Sequence, residues 1–421
     1  MTNPQKEQVT ATLWQAIEDR REELVGIVAE LVRRPSLLGQ EAEVQAYVAD
    51  HLHGSGMATE SWDLDEAIKS QPNAGDSGVP FPGRPNVTGK RAGRGGGRSL
   101  IINGHVDVVS PQPISAWTYD PWGAEIAGDR MYGRGAHDMK SGVALNLFLP
   151  RLLNDLGIEL AGDLTIHSVI EEECTGNGAL AASLRDRADG ALVTEPQFTS
   201  YTQAHLGVMW FRVRIEGRSA HAGWAWTGVN AIVKAVPVIL ALRDLDARLN
   251  LEVHPIWEGI QHPINLNIGV IQGGDWPSTV PGACELHCRV SFFPNVGVAG
   301  MRTLIEETVR AAAEPDDWLR DHPPVVRYDG FQTDGAIVSP DEPFIQTLGN
   351  AYQRVTGNPL QPHVATAVND MRYYIFGGVP STCFGAAGGN GHAADEWLDL
   401  TSLVPAAKVI AAFVVDWCGV T

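Results

Sequence analysis

The stretch Leu100-Ile-Ile-Asn-Gly-His-Val-Asp107 decides the fold, because a short apolar run ends there in a histidine and an acid. Two further apolar runs have the same form: residues 164–170 precede Glu171-Glu172-Glu173, and residues 191–193 precede Thr194-Glu195. Short apolar runs separated by helical segments predict parallel strands covered by helices on both faces. Ligands bind beyond the carboxyl ends of strands in such sheets, so we expect these polar residues to share one crevice.

The pattern of apolar and polar residues changes between about residues 207 and 335. Residues 208–215 alternate between apolar and polar side chains, which predicts a half-exposed strand. The segments that follow predict a βαββαβ order with an antiparallel sheet. We therefore predict an α/β protein in two parts: residues 1–206 with 336–421 form a mostly parallel sheet flanked by helices, and residues 207–335 form an inserted α+β domain.

Composition excludes several classes of protein. The 421 residues carry a net charge of −19, which argues against nucleic acid and anionic membranes as partners. The chain has five cysteines, an odd number that is also too small for a disulfide framework. The first residues are polar, unlike a signal peptide, and we find no apolar run of membrane-spanning length. We expect a cytoplasmic protein.

Two local patterns give further expectations. Apolar residues recur at helical spacing from about residue 9 to 33, which predicts one amphipathic helix. Two strand-like runs, 87–89 and 99–103, flank the glycine-rich segment Arg91–Arg98. That arrangement predicts a hairpin in which the two runs pair directly.

Two glycine-rich loops add to the polar crevice. Residues 132–142 contain Asp138 and lead into a helix, and residues 388–396 contain His392. So many acids in one crevice would repel one another without cations, and two divalent metal ions would resolve that repulsion. Imidazoles and carboxylates together suit zinc, cobalt or manganese. The alternative is that each acid is an ordinary surface turn residue.

Six motifs carry a resemblance to a known family. They are Gly104-His-Val-Asp-Val-Val, Gly133-Arg-Gly-Ala-His-Asp-Met-Lys, the run of three glutamates, Glu195-Pro196, Ser219-Ala-His-Ala-Gly and His392 with Asp395-Glu396. In this order they resemble the M20 metallopeptidase family, which includes acetylornithine deacetylase, succinyl-diaminopimelate desuccinylase and carboxypeptidase G2-like enzymes. The resemblance covers nearly the whole chain.

The resemblance implies a role for each residue of the crevice. The residues implied to hold two metal ions are His105, Glu195, Glu173 and His392, with Asp138 bridging both ions. Asp107, two residues after His105, would hydrogen-bond its imidazole and set the tautomer. Glu172 would be the general base. The family also tends to have a cis peptide after the bridging acid, here Asp138–Met139.

The inserted domain is implied to be a dimerisation and lid domain. His221 would reach the active site of the partner subunit and stabilise the oxyanion, which implies a homodimer. The alternative for His221 is a solvent-facing turn histidine. Arg289, Arg372 and Asn267 are candidates for binding a substrate carboxylate. Surface ion pairs are the alternative for the two arginines.

We predict a hydrolase that uses two divalent metal ions, zinc being favoured over cobalt or manganese, to cleave an amide-type C–N bond in a small molecule. The expected reaction is deacylation of an N-acyl amino acid by metal-activated water. Another C–N bond, in a dipeptide, an N-carbamoyl compound or an aryl amine or amide, is the alternative within the same site. A catalytically silent binding protein of the same fold is the alternative from another class.

Overall fold

The computed structural model describes the backbone of residues 3–421 and the side chains from residue 6 onward. The helices are α1 (Asn3–Asp19), α2 (Arg21–Val32), α3 (Ala42–Gly54), α4 (Lys140–Asp155), α5 (Asn177–Arg185), α6 (Ala231–Leu249), α7 (Gly297–Ala313), α8 (Asp317–Asp321), α9 (Pro343–Thr356), α10 (Met371–Phe376) and α11 (Leu400–Cys418). The strands are β1 (Ala58–Trp62), β2 (Asn86–Arg91), β3 (Leu100–His105), β4 (Glu125–Ala127), β5 (Arg130–Tyr132), β6 (Leu164–Val169), β7 (Ala191–Val193), β8 (Ser200–His205), β9 (Gly207–Glu216), β10 (Ala220–His221), β11 (Leu266–Gly273), β12 (Thr279–Val280), β13 (Ala283–Phe292), β14 (Val325–Thr333), β15 (Ala336–Ile337), β16 (Gln361–Ala365), β17 (Ser381–Cys383), β18 (Gly388–Gly389) and β19 (Trp397–Asp399).

The main sheet has six strands in the order β1-β2-β6-β3-β7-β17. Neighbours among β6, β3, β7 and β17 pair in parallel, whereas β2 pairs antiparallel with both β1 and β6. The predicted α/β class with a mostly parallel sheet is confirmed. The predicted hairpin is wrong, because β6 lies between the two strands that flank the glycine-rich segment.

Strand β3 is buried on both faces of this sheet. Leu100 and Ile102 belong to the large core, whereas Ile101 belongs to a second core that includes Met371 and Tyr374 of α10. This alternation follows from the two-residue period of a strand. The end of β3 therefore lies inside the protein, between helices on either side.

Two helical expectations need correction. The single helix predicted for residues 9–33 is two helices, α1 and α2, because Arg20 between them leaves the helical conformation (φ −109°, ψ 21°). Helix α11 has the length and apolarity of a membrane span, which the sequence analysis did not find. Within the fold, 78% of its apolar window is buried, which accounts for its composition.

A second sheet lies within residues 207–335. Its order is β11-β13-β9-β14, all pairs are antiparallel, and α6 and α7 pack on it around a core of their own. The chain order β9-α6-β11-β13-α7-β14 is the expected βαββαβ pattern. His205 pairs with Ala336, so the chain leaves and re-enters the main body at neighbouring positions. The division into two domains at these points stays a prediction.

Candidate metal centre

Three side chains from distant parts of the chain meet beyond the end of β3. His105, the last residue of β3, places Nε2 3.3 Å from Oδ1 of Asp138 and 3.8 Å from Oε1 of Glu195. Asp138 lies two residues before α4, and Glu195 lies two residues after β7. These three residues can each offer a ligand atom within 4.8 Å of the others, so they can hold one metal ion.

A second group of three shares Asp138. Its Oδ2 lies 3.4 Å from Nε2 of His392, and the same nitrogen lies 3.0 Å from Oε2 of Glu173. Asp138 thus faces one histidine with each carboxylate oxygen, which is the arrangement a bridging ligand needs. His392 comes from a loop in which Asn390, His392 and Asp395 all have positive φ, and such strained residues concentrate at ligand and active sites.

Asp107 supports this centre in a different way from the one predicted. Nδ1 of His105 lies 2.9 Å from the backbone oxygen of Asp107, and the carboxylate is farther away, at 3.7 Å. The backbone carbonyl, an acceptor, therefore sets the imidazole tautomer and leaves Nε2 free to face Asp138. The Asp107 carboxylate instead accepts hydrogen bonds from the backbone N–H groups of Glu172 and Glu173.

Glu396 supports Asp138 in the same manner, a role that the sequence analysis missed. Its Oε1 accepts hydrogen bonds from the backbone N–H groups of His137 and Asp138, at 3.0 and 2.9 Å. Its other oxygen pairs with Arg134 at 2.5 Å, and both side chains are buried. The available signal was the acid in the C-terminal motif. The peptide bond between Asp138 and Met139 is cis, as the resemblance implied.

Glu172 lies beside the two groups without belonging to either. It lines a cavity of about 520 Å³ together with Asp138, Glu173, Glu195 and His392. Burial raises the pKa of the Glu172 carboxyl, with further contributions from Asp370, Glu195 and Glu173, against the opposing effect of His105. A raised pKa in a cleft is typical of a group that exchanges protons.

The electrostatics of the centre fit cations. Burial and the neighbouring carboxylate of Asp138 raise the pKa of Glu195. Hydrogen bonds to Asp138 and Glu173 raise the pKa of His392 to about 10, so this imidazole holds a proton at neutral pH when no metal is bound. Within the described residues, no lysine or arginine lines the cavity. The four carboxylates in the cavity wall therefore carry negative charge that divalent ions would neutralise.

The candidate substrate residues are not in this cavity. Asn267 and Arg289 line a separate cavity of about 370 Å³, although Nη2 of Arg289 lies 3.5 Å from the backbone oxygen of Thr366, whose neighbours line the first cavity. Arg372 is fully buried and donates to the Asn369 backbone oxygen and to the Tyr373 hydroxyl. It lines neither cavity, so the structure gives it an internal packing position in place of the predicted substrate contact.

His221 is exposed on the β10 segment and does not line the cavity of its own chain. Asp370, which was not among the residues predicted from the sequence, is a fully buried carboxyl that accepts a hydrogen bond from Asn103 and raises the pKa of Glu172. It lies two residues before Arg372, but nothing in its local sequence pattern indicated its burial.

Two possible metal-ligand groups that share Asp138, with Glu172 in the same cavity wall, provide the ligands and the proton acceptor that a two-metal hydrolase uses. The chain belongs to peptidase family M20/M25/M40, whose family model matches residues 101–416. It is therefore a metal-dependent hydrolase of amide C–N bonds.

Relatives and solved structures agree with this family. The chain is 29% identical over 434 residues to an N-formyl-4-amino-5-aminomethyl-2-methylpyrimidine deformylase of Bacillus subtilis, covering 97% of each chain. It is 32% identical over 234 residues to an acetylornithine deacetylase of Aliivibrio salmonicida, covering 55% of this chain and 60% of that one. The fold matches the dipeptidase Dug1p of Saccharomyces cerevisiae with a TM-score of 0.79 at 14% identity, covering 97% of this chain and 98% of that one.

Proposed function

We propose that this protein removes a short acyl group, formyl or acetyl, from the nitrogen of a small amine. The observation that carries the proposal is the sharing of Asp138 by two ligand groups, with Glu172 in the same cavity wall. Hydrolysis of such an amide consumes one water and yields a carboxylic acid and an amine. The names of the two relatives, a deformylase and a deacetylase, support this choice of acyl group.

The residues present fit two divalent ions. His105, Asp138 and Glu195 would hold one ion, and Asp138, Glu173 and His392 the other. A donor set of imidazoles and carboxylates supports zinc, with cobalt or manganese as alternatives. When bound, such ions polarise a carbonyl group and activate water near neutral pH.

The protein's own groups would move the proton and stabilise charge. The Glu172 carboxylate would accept a proton from the attacking water and deliver it to the leaving nitrogen. Asp107 and Glu396 would hold the backbones of Glu172 and Asp138 in place through the hydrogen bonds described above. His221 of a second subunit would donate a hydrogen bond to the developing oxyanion.

A homodimer is part of the proposal. Helix α6 exposes apolar side chains in a stripe, and the neighbouring edge strand β11 exposes more: Val233, Val236, Leu240, Val270 and Ile271. An exposed apolar edge strand is normally covered by another element or another chain. A two-fold contact through this face would give each subunit the His221 of the other.

The five cysteines form no disulfide within the described residues, which supports the proposed cytoplasmic location.

The cavity favours an amine without a carboxylate. No lysine or arginine among the described residues lines it, so a substrate carboxylate would find no cation apart from the metal ions. An N-acyl amino acid is the second candidate, and Arg289 is the observation that favours it. Its guanidinium donates to the backbone oxygen of Thr366, whose neighbours Ala365 and Ala367 line the cavity.

A substrate panel tests the proposed function. Metal-reconstituted enzyme is offered N-formyl and N-acetyl amines, N-acyl amino acids, dipeptides, N-carbamoyl compounds and aryl amides, and amine release is measured. We expect the simple N-acyl amines to be cleaved fastest, with no turnover by metal-free protein. Turnover confined to dipeptides or carbamoyl compounds, or full activity without metal, would contradict the proposal.

A further inference from the structure

Three exposed tryptophans lie in the segments that adjoin the small ribbon carrying His221. The ribbon is formed by β10 and β12, in which His221 pairs with Thr279. Trp224 and Trp226 follow β10, and Trp276 precedes β12; their exposed fractions are 62%, 79% and 66%. Indole side chains are seldom left so exposed together, and a cluster of large exposed apolar groups marks a contact surface.

The orientation of His221 links this cluster to the scissile bond. The backbone N–H of Gly223 donates to Nδ1 of His221 at 3.0 Å, so in the neutral ring the proton is on Nε2. Among the described residues, Nε2 has no hydrogen-bond partner. The ring of Trp224 lies 5.4 Å from the ring of His221, centre to centre. A carbonyl oxygen that accepts a hydrogen bond from Nε2 would therefore lie next to an indole.

The metal cavity lacks what the ribbon offers. Apart from its histidines, Phe198 is the one aromatic residue among the described residues that line it, and much of the remaining wall is small: Ala365, Ala367, Ala387 and Gly388. Apart from Phe198 and the imidazoles, the described lining residues offer no ring on which a planar group can stack. The ribbon of a second subunit, placed by His221, would supply such rings.

We propose that Trp224, Trp226 and Trp276 of one subunit form an aromatic wall over the metal cavity of its partner, and that the substrate carries an aromatic or heteroaromatic ring close to the scissile amide. This inference rests on the proposed function, because it uses His221 as the oxyanion donor across the dimer. It goes further by naming the chemical class of the amine and the residues that select it. Stacking between rings is stronger than the contact of an alkyl chain with the same indole.

A matched pair of amides tests the wall. The full-length, metal-loaded enzyme is assayed with N-formylbenzylamine and N-formylpropylamine, which share the acyl group and differ in the ring. We expect Trp226→Ala to lower kcat/KM for the benzyl compound at least tenfold and to change that for the propyl compound less than twofold. Trp226→Phe is expected to retain most of the benzyl activity, because it keeps a ring. Metal content should be unchanged in both variants.

Other outcomes overturn the inference in distinguishable ways. Equal losses for both amides, or no loss for either, would show that Trp226 does not select a ring. Dissociation of Trp226→Ala into monomers, measured by sedimentation, would make the tryptophan a dimer contact. If the wild type cleaves the propyl compound and not the benzyl compound, the inference fails and the proposed function stands. If it cleaves neither, the inference fails, and the proposed function fails with it only when no N-formyl or N-acetyl amine of the substrate panel is cleaved either.

Discussion

The carboxylate of Asp107 accepts a hydrogen bond from the backbone N–H of Glu172, with Oδ1 and N 3.1 Å apart. Its other oxygen accepts from the N–H of Glu173 at 3.0 Å. One buried carboxylate thus holds the backbone of the proposed base and of a proposed metal ligand. The same residue's carbonyl orients His105, so Asp107 positions three members of the site at once.

Asp107→Asn tests this arrangement. An asparagine can accept only one of the two hydrogen bonds, because its amide nitrogen would face the other N–H group. We expect kcat and metal affinity to fall about 10- to 100-fold, as for other residues that orient metal ligands. Steady-state kinetics and metal titration measure the two effects. Asp163→Asn is the control, since Asp163 also accepts from a backbone N–H, that of Gly93, on an exposed loop. Wild-type kinetics and metal affinity in Asp107→Asn would refute the arrangement.

Glu172→Gln and Glu173→Gln separate the base from the ligand. Loss of the Glu172 carboxylate should leave metal content intact and lower kcat by about 10²–10⁴-fold, because no other group takes the proton. Glu173→Gln should lose the metal ion that His392 shares. Elemental analysis and steady-state kinetics compare the metal content and kcat of the two variants. If Glu172→Gln instead loses metal and recovers when metal is resupplied, the two roles are exchanged.

Metal removal should abolish activity and reconstitution should restore it at about two ions per chain, because two ligand groups share Asp138. Chelation followed by titration with zinc, cobalt or manganese, with elemental analysis at each step, gives the stoichiometry. Full activity at one ion per chain would show that only one of the two groups works.

A mixing experiment tests the exchange of His221 between subunits. His221→Ala should lower kcat with metal content intact, because the oxyanion forms only during the reaction. When it is mixed with Glu172→Gln, one site of the heterodimer has an intact Glu172 and receives an intact His221, so activity should return. No recovery, in a mixture shown to exchange subunits, would mean that His221 does not act across the dimer.

Arg84 connects two buried acids behind the site. Its guanidinium pairs with Glu41 at 2.6 Å and with Glu171 at 2.8 Å, and all three side chains are buried. Arg84→Met would leave two uncompensated carboxylates, and we expect the free energy of unfolding to fall by about 3–5 kcal/mol. Arg212→Met is the control, because Arg212 pairs with Asp329 at the surface. We expect this substitution to lower the free energy of unfolding by about 1 kcal/mol or less. Urea unfolding compares them, and equal losses would contradict the argument.

Some sequence predictions failed because a local rule was applied beyond the element for which it holds. The rule that residues two apart face the same side holds within a strand, but β3 ends at His105, two residues before Asp107. Asp107 therefore presents its carbonyl to the imidazole and its carboxylate to Glu172 and Glu173. The hairpin failed for a related reason: the pairing of β6 with both β2 and β3 is a long-range contact that local turn patterns do not encode.

The sequence by itself determined the strand ends, the glycine-rich loops and the acids and histidines that follow them, because each depends on neighbours within a few residues. That was enough to expect the two metal groups and the βαββαβ insert. Only the tertiary structure decided which side chains meet: His392 and Glu173, 219 residues apart, come within 3.0 Å. It also placed Arg372 in the interior and Glu396 behind Asp138, because burial depends on how helices pack on the sheet and local sequence carries no record of it.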